Sequence, residues 1–385
     1  MTMLAAGRAA CLAALDHYEL PGLAKGSAAP PPEGLVAPLG AGLINQTFLV
    51  DTATLGQHPP VRAVLQRVNP LFGRAVNDDI YAITSHLRAA GLSTPLLYRT
   101  RDGQTAVDLG ADGVWRLLTF EPGETFHKIT PALAHQAGRL VARFHGALLG
   151  FPHRFAFTRP GAHDLDKHVA TLRAAVAKAQ AVADLPADFL PLATEILARV
   201  AEVPRELGGP LRLCHGDLKI SNLLFLPASD GAGDGGGYVG HCLVDLDTMA
   251  YLPLGLELGD ALRSWCNPDD ENNPAGRFDL DLFTAAVSGY AAGAAGFVGA
   301  AEAGQLVPGT LRVTLQLAAR FAADVVNQSY FGWDPTRFAS RAEHNLIRAR
   351  GQLSLARSLA DQRRAADAVV ARCFAAPDQD KDPPA

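Results

Sequence analysis

The segment LCHGDLKISNLLF, residues 213–225, gathers His215, Asp217, Lys219 and Asn222 at fixed offsets. It closes on Leu223, Leu224 and Phe225, an apolar run that reads as a short strand. A polar loop feeding a buried strand holds charge still. Downstream, CLVDLDT brings a second acidic segment with Asp245 and Asp247. These residue types can take a proton and hold a cation. An alcohol hydroxyl is too weak an acid to ionise unaided near neutral pH, so a carboxylate within hydrogen-bond reach, Asp217, can take its proton. The oxygens of Asn222 and Asp245 suit a hard cation, and Mg2+ is the one that takes few protein ligands and several waters.

Each residue also has a plainer reading. His215 can brace the loop by hydrogen bonds, and Asp217 can cap it. Asp247 lies two residues past Asp245, so on a strand both side chains share a face, as a second metal contact or as a neighbour. Cys214 and Cys242 sit in apolar surroundings and read as small core residues.

The elements that position these groups are legible in outline. A chain of 385 residues is long enough for two lobes, since single cores stop growing at roughly 250 to 300 residues. Residues 1–34 read as a short amphipathic helix followed by a Pro- and Gly-rich linker. Residues 35–121 form the first lobe. LVAPLGAGLINQTFLV reads as two strands around a glycine-containing turn, VRAVLQRVN as a third, and NDDIYAITSHLRAAGL as a helix. PLLYRT, with a turn at Asp102 and Gly103, and VWRLLTFEPG read as two more strands. From Pro131 the pattern turns helical, and residues 122–374 form the second lobe around the opening motif. The GAGDGGG insertion (231–237) has the composition of a solvated hairpin tip, and residues 375–385 that of a disordered tail. The fold class is α+β.

Composition narrows the setting. Hydrophobic content of 48% fits a soluble globular protein, and a net charge of −5 gives no basic footprint for nucleic acid. Five scattered cysteines without CxxC pairs argue against a disulfide framework and for a reducing cytoplasm. Arg8 and Asp16 interrupt the apolar N-terminus, so no signal-peptide core forms. No apolar run reaches the ~18 residues of a membrane span.

HGDLKISN and VDLDT, in this order, resemble the aminoglycoside phosphotransferase and choline kinase superfamily, which has the protein-kinase-like fold. The offset from Asp217 to Asn222 equals that of the kinase catalytic loop. The resemblance spans roughly residues 35–360. Further phrases resemble the N-acetylhexosamine 1-kinase branch: GLINQTFLV, VLQRVNPLF, FTRPGAHDL, LVDLDTM, RFAADVVNQSYF and HNLIRARGQLSL. The resemblance implies a bilobal fold, with a five-stranded sheet and one helix in the small lobe and a mainly helical large lobe. It implies ATP and Mg2+ as cofactors and a sugar hydroxyl as acceptor, the anomeric position of an N-acetylhexosamine above all. Asp217 would align the acceptor, Lys219 would stand near the transferred phosphoryl group, and Asn222, Asp245 and Asp247 would hold the metal. Asp260, in ELGDALRSW, matches a position that braces the catalytic loop in the family, or it serves a helix N-terminus.

The nucleotide candidates are Gly40, Gly42 and Asn45, which follow the G-x-G-x-x-G spacing with Asn in the third glycine's place, together with Gln66, Arg67 and Phe120. One departure from the kinase pattern matters. The third strand reads AVLQRVN, with Gln66 where kinases carry a lysine, and the next helix offers Asp78 and Asp79 in place of its glutamate partner. Alternation lets only one of Gln66 and Arg67 face the phosphates; register favours Gln66 and charge favours Arg67. For the acceptor, the resemblance points to His163, Asp164, Arg320, Asp324, Tyr330 and Phe331, although Phe321, Val325 and Phe331 also fit a core at helical spacing. The alternatives are a kinase for an aminoglycoside or amino alcohol, and a nucleotide-binding pseudokinase that serves as a partner-binding module.

Overall fold

The computed structural model describes residues 5–23, 34–40, 45–56, 59–181, 185–228, 237–294 and 296–375. Gly42, residues 231–236 of the glycine-rich insertion, residues 24–33 of the linker and residues 376–385 of the tail lie outside the described residues. The chain divides into two compact units, residues 1–122 with 150–158, and residues 123–149 with 159–385.

The first unit runs α1 (Ala5–Leu15), β1 (Val36–Pro38), β2 (Gln46–Asp51), β3 (Arg62–Arg67), α2 (Val76–Ala89), β4 (Val107–Asp108) and β5 (Val114–Thr119). The strands form one antiparallel sheet in the order β1-β2-β3-β5-β4. Alternation sends Ala63 and Leu65 of β3 to one face, where they pack with Trp115 and Leu117 of β5 and with Cys11, Leu15 and Tyr18 from and just after α1. Asp79 of α2 is buried and accepts hydrogen bonds from His153 Nε2 (2.9 Å), Ala156 N (2.8 Å) and Phe157 N (2.9 Å). That carboxylate fastens residues 150–158 to the first unit.

The fourth strand is not PLLYRT. Leu97 makes only an isolated bridge to Leu118, while the two-residue β4 further on pairs with the start of β5. Pro95 brings no N–H, and the turn at Asp102 and Gly103 ends the segment before a ladder can grow.

The second unit runs α3 (Pro131–Ala147), α4 (Leu165–Lys178), α5 (Phe189–Val200), β6 (Leu211–Cys214), β7 (Leu223–Pro227), β8 (Tyr238–Leu243), β9 (Ala250–Pro253), α6 (Leu254–Trp265), α7 (Leu280–Ala294), α8 (Ala300–Ala303), α9 (Leu306–Asn327), α10 (Arg341–Asp361) and α11 (Arg363–Cys373). Helix α9 is the spine: Leu315, Phe321 and Val325 pack with Val169 of α4, Ile196 of α5 and Leu353 of α10. On its other side α9 meets α6 at glycines. A Cβ on Gly309 would lie 1.9 Å from Gly255 O, and one on Gly259 would lie 2.7 Å from the Gly309 carbonyl carbon. The two backbones therefore approach as only glycine allows. All five cysteines are free thiols. Among the described residues no helix is long and apolar enough to cross a membrane.

Candidate active site

Topology brings the two acidic segments together. β6 pairs antiparallel with β9, and β7 with β8. The loop joining β6 to β7 (215–222) and the turn joining β8 to β9 (244–249) are thereby placed side by side. His215 is fully buried in the seam between them. Its Nε2 meets Val244 O at 2.9 Å, and its carbonyl accepts from Thr248 Oγ1 at 2.9 Å. Gly216 follows at φ +81°, and a Cβ there would come within 2.2 Å of Thr248 O. The imidazole thus braces the loop.

Asp217, Lys219, Asn222 and Asp245 converge in this seam. Asp217 Oδ2 accepts from Lys219 Nζ at 2.8 Å and from Asn222 Nδ2 at 3.2 Å, and Asn222 Nδ2 also meets Asp217 O at 2.8 Å. Lys219 Nζ lies 3.7 Å from Asp245 Oδ2. Burial pushes the Asp217 carboxyl up, but the Lys219 charge and hydrogen bond outweigh it and hold the group below the usual carboxylate range. Asp245 goes the other way. Burial, followed by the like charges of Asp247 and Asp217, raises it despite Lys219. Burial alone would lower Lys219, yet Asp217 and Asp245 raise it to about 12. The lysine is therefore a fixed cation. Asp217 and Lys219 keep partial solvent access.

Asp245 and Asp247 do not lie on a strand. β8 ends at Leu243, Asp245 is in the left-handed conformation at φ 65°, and residues 246–248 form a 3-10 turn. Strand alternation therefore gives no shared face. Asp247 is buried inside that turn, at the far side of a strained residue of the kind that concentrates at functional sites.

The nucleotide candidates lie in the first unit. Gly40 is left-handed (φ +73°) just before residues 41–44, which lie outside the described residues. Asn45 Oδ1 accepts from Asn69 N at 2.9 Å, tying the start of β2 to the chain beyond β3. Arg67 falls on the face of Ala63 and Leu65 and reaches Ala111 O at 3.3 Å. Gln66 takes the opposite face, with Thr47 and Arg116. Phe120 lies under the Arg62 guanidinium, 4.0 Å from ring centroid to Cζ. Neither aspartate of α2 is free to replace the kinase glutamate: Asp79 holds residues 153–157 and Asp78 accepts from Thr105 Oγ1 at 2.6 Å.

The acceptor candidates divide. Arg320 has its guanidinium over the rings of Tyr330 (5.1 Å) and Phe331 (5.3 Å), with no hydrogen bond or ion pair among the described residues. Burial pulls its pKa down from the ordinary value. Tyr330 OH accepts from Arg159 Nη2. His163 Nδ1 is buried without a partner among the described residues, and burial lowers its pKa against the pull of Asp260. Asp164 is the N-cap of α4, accepting from Lys167 N at 2.9 Å. The Asp324 carboxylate takes the backbone N–H groups of Ser329, Tyr330 and Phe331, plus Asn345 Nδ2. Both carboxylates are committed to backbone geometry, so Asp324 shapes the loop that carries Tyr330.

Two contributors are not expected from the sequence. The loop brace is Glu257, not Asp260: buried on α6, it accepts from His215 N at 2.8 Å, Gly216 N at 2.9 Å and His145 Nε2 at 3.3 Å. Burial raises its carboxyl, while His145, His215 and the loop N–H groups hold it below the ordinary value. A glutamate amid Leu254, Leu256, Leu258 and glycines was the available signal. Asp260 instead pairs with Arg263 at 2.8 Å, one turn along the same helix. Arg116, buried on β5, joins Gln66 through cross-strand register, which local spacing does not reveal.

Comparisons with known proteins bear on the family and the fold. The chain is 28% identical over 254 residues to a homoserine kinase of Azorhizobium caulinodans, covering 66% of this chain and 70% of that one. Its fold is that of a microcompartment-associated aminopropanol kinase (TM-score 0.59, 18% identity, 93% of this chain and 98% of that one). It is equally that of an aminoglycoside phosphotransferase of Alicyclobacillus acidocaldarius (TM-score 0.55, 16% identity, 96% and 98%). The small antiparallel five-stranded sheet and larger helical part of this chain match the protein-kinase-like fold of these neighbours. The model of the phosphotransferase enzyme family, APH, matches residues 36–295, more than half of the chain, and the protein is a kinase of that family acting on a small-molecule hydroxyl.

Proposed function

We propose that the protein transfers the γ-phosphoryl group of ATP to a sugar hydroxyl, the anomeric position of an N-acetylhexosamine. The observation that carries the acceptor class is the pair of arginines at Tyr330. Arg320 presents a guanidinium with no carboxylate bound to it among the described residues, and Arg159 bonds the phenol beside it. Like charges repel, so this surface disfavours a cationic aminoglycoside or choline. It suits neutral hydroxyl oxygens that accept from Arg320 while an apolar sugar face lies on the aromatic rings.

The chain's own groups divide the work. Asp217, ionised and aligned by Lys219 and Asn222, takes the acceptor proton as the new O–P bond forms. Lys219 keeps a positive charge beside the oxygens on which negative charge develops. Asn222 commits its amide nitrogen to Asp217 and so has Oδ1 left for a cation. The mutual repulsion of Asp217, Asp245 and Asp247 is what a divalent ion relieves, so the residues fit Mg2+, with Asn222 and Asp245 as its holders and Asp247 behind them. When bound, Mg2+ neutralises phosphate charge.

A second reading has its own support. The homoserine kinase relative points to a hydroxylated amino acid, and the buried Oδ2 of Asp260, without a partner among the described residues, would suit an ammonium group beside Arg320. One panel separates the two. Purified protein with ATP and Mg2+ is offered N-acetylhexosamines, homoserine, an aminoglycoside and choline, with phosphate transfer followed by mass spectrometry. Phosphorylation of an N-acetylhexosamine at the anomeric oxygen is expected; transfer only to homoserine replaces the reading with the second one.

A further inference from the structure

We propose that the nucleotide phosphates are held without a strand lysine, by the Gln66 amide, with Arg116 as the positioning residue that orients this amide and supplies the positive charge behind it. The proposal rests on the kinase reading above. Its basis is a polar row across the sheet. Thr47, Gln66 and Arg116 are direct cross-strand partners on β2, β3 and β5, so their side chains stand side by side on one face. Arg116 Nε donates to Gln66 Oε1 at 2.9 Å, and Gln66 Nε2 donates to Thr47 Oγ1 at 3.1 Å.

Donor chemistry fixes the orientation. A guanidinium can only donate, so the Gln66 oxygen must face Arg116, and the amide nitrogen must point the other way. One Nε2 hydrogen goes to Thr47. The second has no partner among the described residues and is free for a phosphate oxygen. Helix α2 completes the row, since Asn77 Oδ1 accepts from Arg116 Nη1 at 3.3 Å. An amide–arginine link thus stands where the kinase pattern has a carboxylate–lysine link.

Arg116 is only 2% exposed, and its bonds to Gln66 and Asn77 go to neutral amide oxygens. A buried cation one hydrogen bond behind an amide makes the amide a stronger donor to an anion, because bonds in a low-dielectric network polarise one another. Arg67, the basic residue next to Gln66 on β3, is on the opposite face and bonded to Ala111 O.

The test measures ATP and adenosine affinity by calorimetry, in the presence of Mg2+, for the full chain and three variants. The ratio of the two affinities isolates the phosphate contribution and is insensitive to a general loss of stability. Arg116→Met is expected to lower this ratio about tenfold or more, the range for a lost charge-assisted bond, while adenosine binding stays at the wild-type level. Gln66→Lys alone sets two cations side by side and is expected to unfold at lower temperature. The double variant Gln66→Lys with Arg116→Met moves the charge onto the third strand and is expected to regain both stability and the ATP ratio. The double variant also keeps the test open where Arg116→Met alone does not fold. An unchanged ratio in folded Arg116→Met overturns the proposal, as does a double variant that folds and does not prefer ATP. A wild-type chain that binds ATP no better than adenosine overturns the kinase reading as well, which distinguishes the two failures.

Discussion

Gly216 and Thr248 are in contact through their backbones: at φ +81°, Gly216 leaves only 2.2 Å between the position of a Cβ and the Thr248 carbonyl oxygen. This contact locks the loop carrying Asp217 to the turn carrying Asp245, and it explains why a glycine separates His215 from Asp217. Gly216→Ala therefore adds a left-handed strain of ~1–3 kcal/mol and a steric overlap that the two bonded segments cannot relieve. The expected loss is about 3 kcal/mol or more of unfolding free energy, with activity lost in step. Urea denaturation checks it, and a wild-type midpoint would contradict the contact.

Glu257 is the second element of that lock, because each of its oxygens takes one loop N–H. Glu257→Gln keeps one acceptor oxygen and turns an NH2 group toward the other N–H. Leaving a buried donor unsatisfied costs about 1–3 kcal/mol. The variant is expected to melt earlier and to lose turnover through displacement of Asp217, with the KM for ATP little changed. Equal thermal midpoints for variant and wild type would remove Glu257 from this role.

What the sequence made legible follows from how far apart the cooperating residues lie in the chain. Asp217, Lys219 and Asn222 were readable because their spacing within one loop already determines their meeting. Asp245 was readable as a chemical group but misplaced on a strand, since V-D-L-D-T alternates as a strand does while the backbone turns left-handed at Asp245. Glu257 and Arg116 were hidden for a different reason. Their partners are set by the packing of α6 and by the register between β3 and β5, and neither leaves a local period. The five-stranded sheet is countable from the sequence, yet PLLYRT reads as its fourth strand because its propensity is strong and Pro95 removes only one donor.

Arg320 is shielded and stacked on two aromatic rings, with no hydrogen bond or ion pair among the described residues. Its donors are thus available to an acceptor hydroxyl. Arg320→Met keeps the volume on the rings and removes the donors. The KM for the acceptor is expected to rise about tenfold, the equivalent of one to two hydrogen bonds, while the KM for ATP stays constant. Steady-state kinetics with each substrate varied in turn decides this, and a rise confined to ATP would place Arg320 elsewhere in the reaction.

His344 sets a pH dependence away from the loop that carries Asp217. It stacks on Phe338 (3.8 Å between centroids), its Nε2 meets Asn272 Oδ1 at 2.6 Å, and its Nδ1 accepts from Asp334 N at 3.3 Å. An imidazole that accepts at Nδ1 must stay neutral there. Burial first, then the Arg348 and Arg337 charges, push its pKa down from 6.5 to about 4. The unfolded chain binds a proton at this residue near pH 6.5, whereas the folded chain does not until about pH 4, so between these values the unfolded state holds more protons. Stability contributed by neutral His344 is complete above pH 6.5 and declines as the pH falls toward 4. His344→Gln, which cannot take up a proton, is expected to flatten the fall of the melting temperature across that window. Parallel melting curves of variant and wild type from pH 7 to 4 check it, since equal slopes would mean that His344 gains its proton as readily in the folded chain as in the unfolded one.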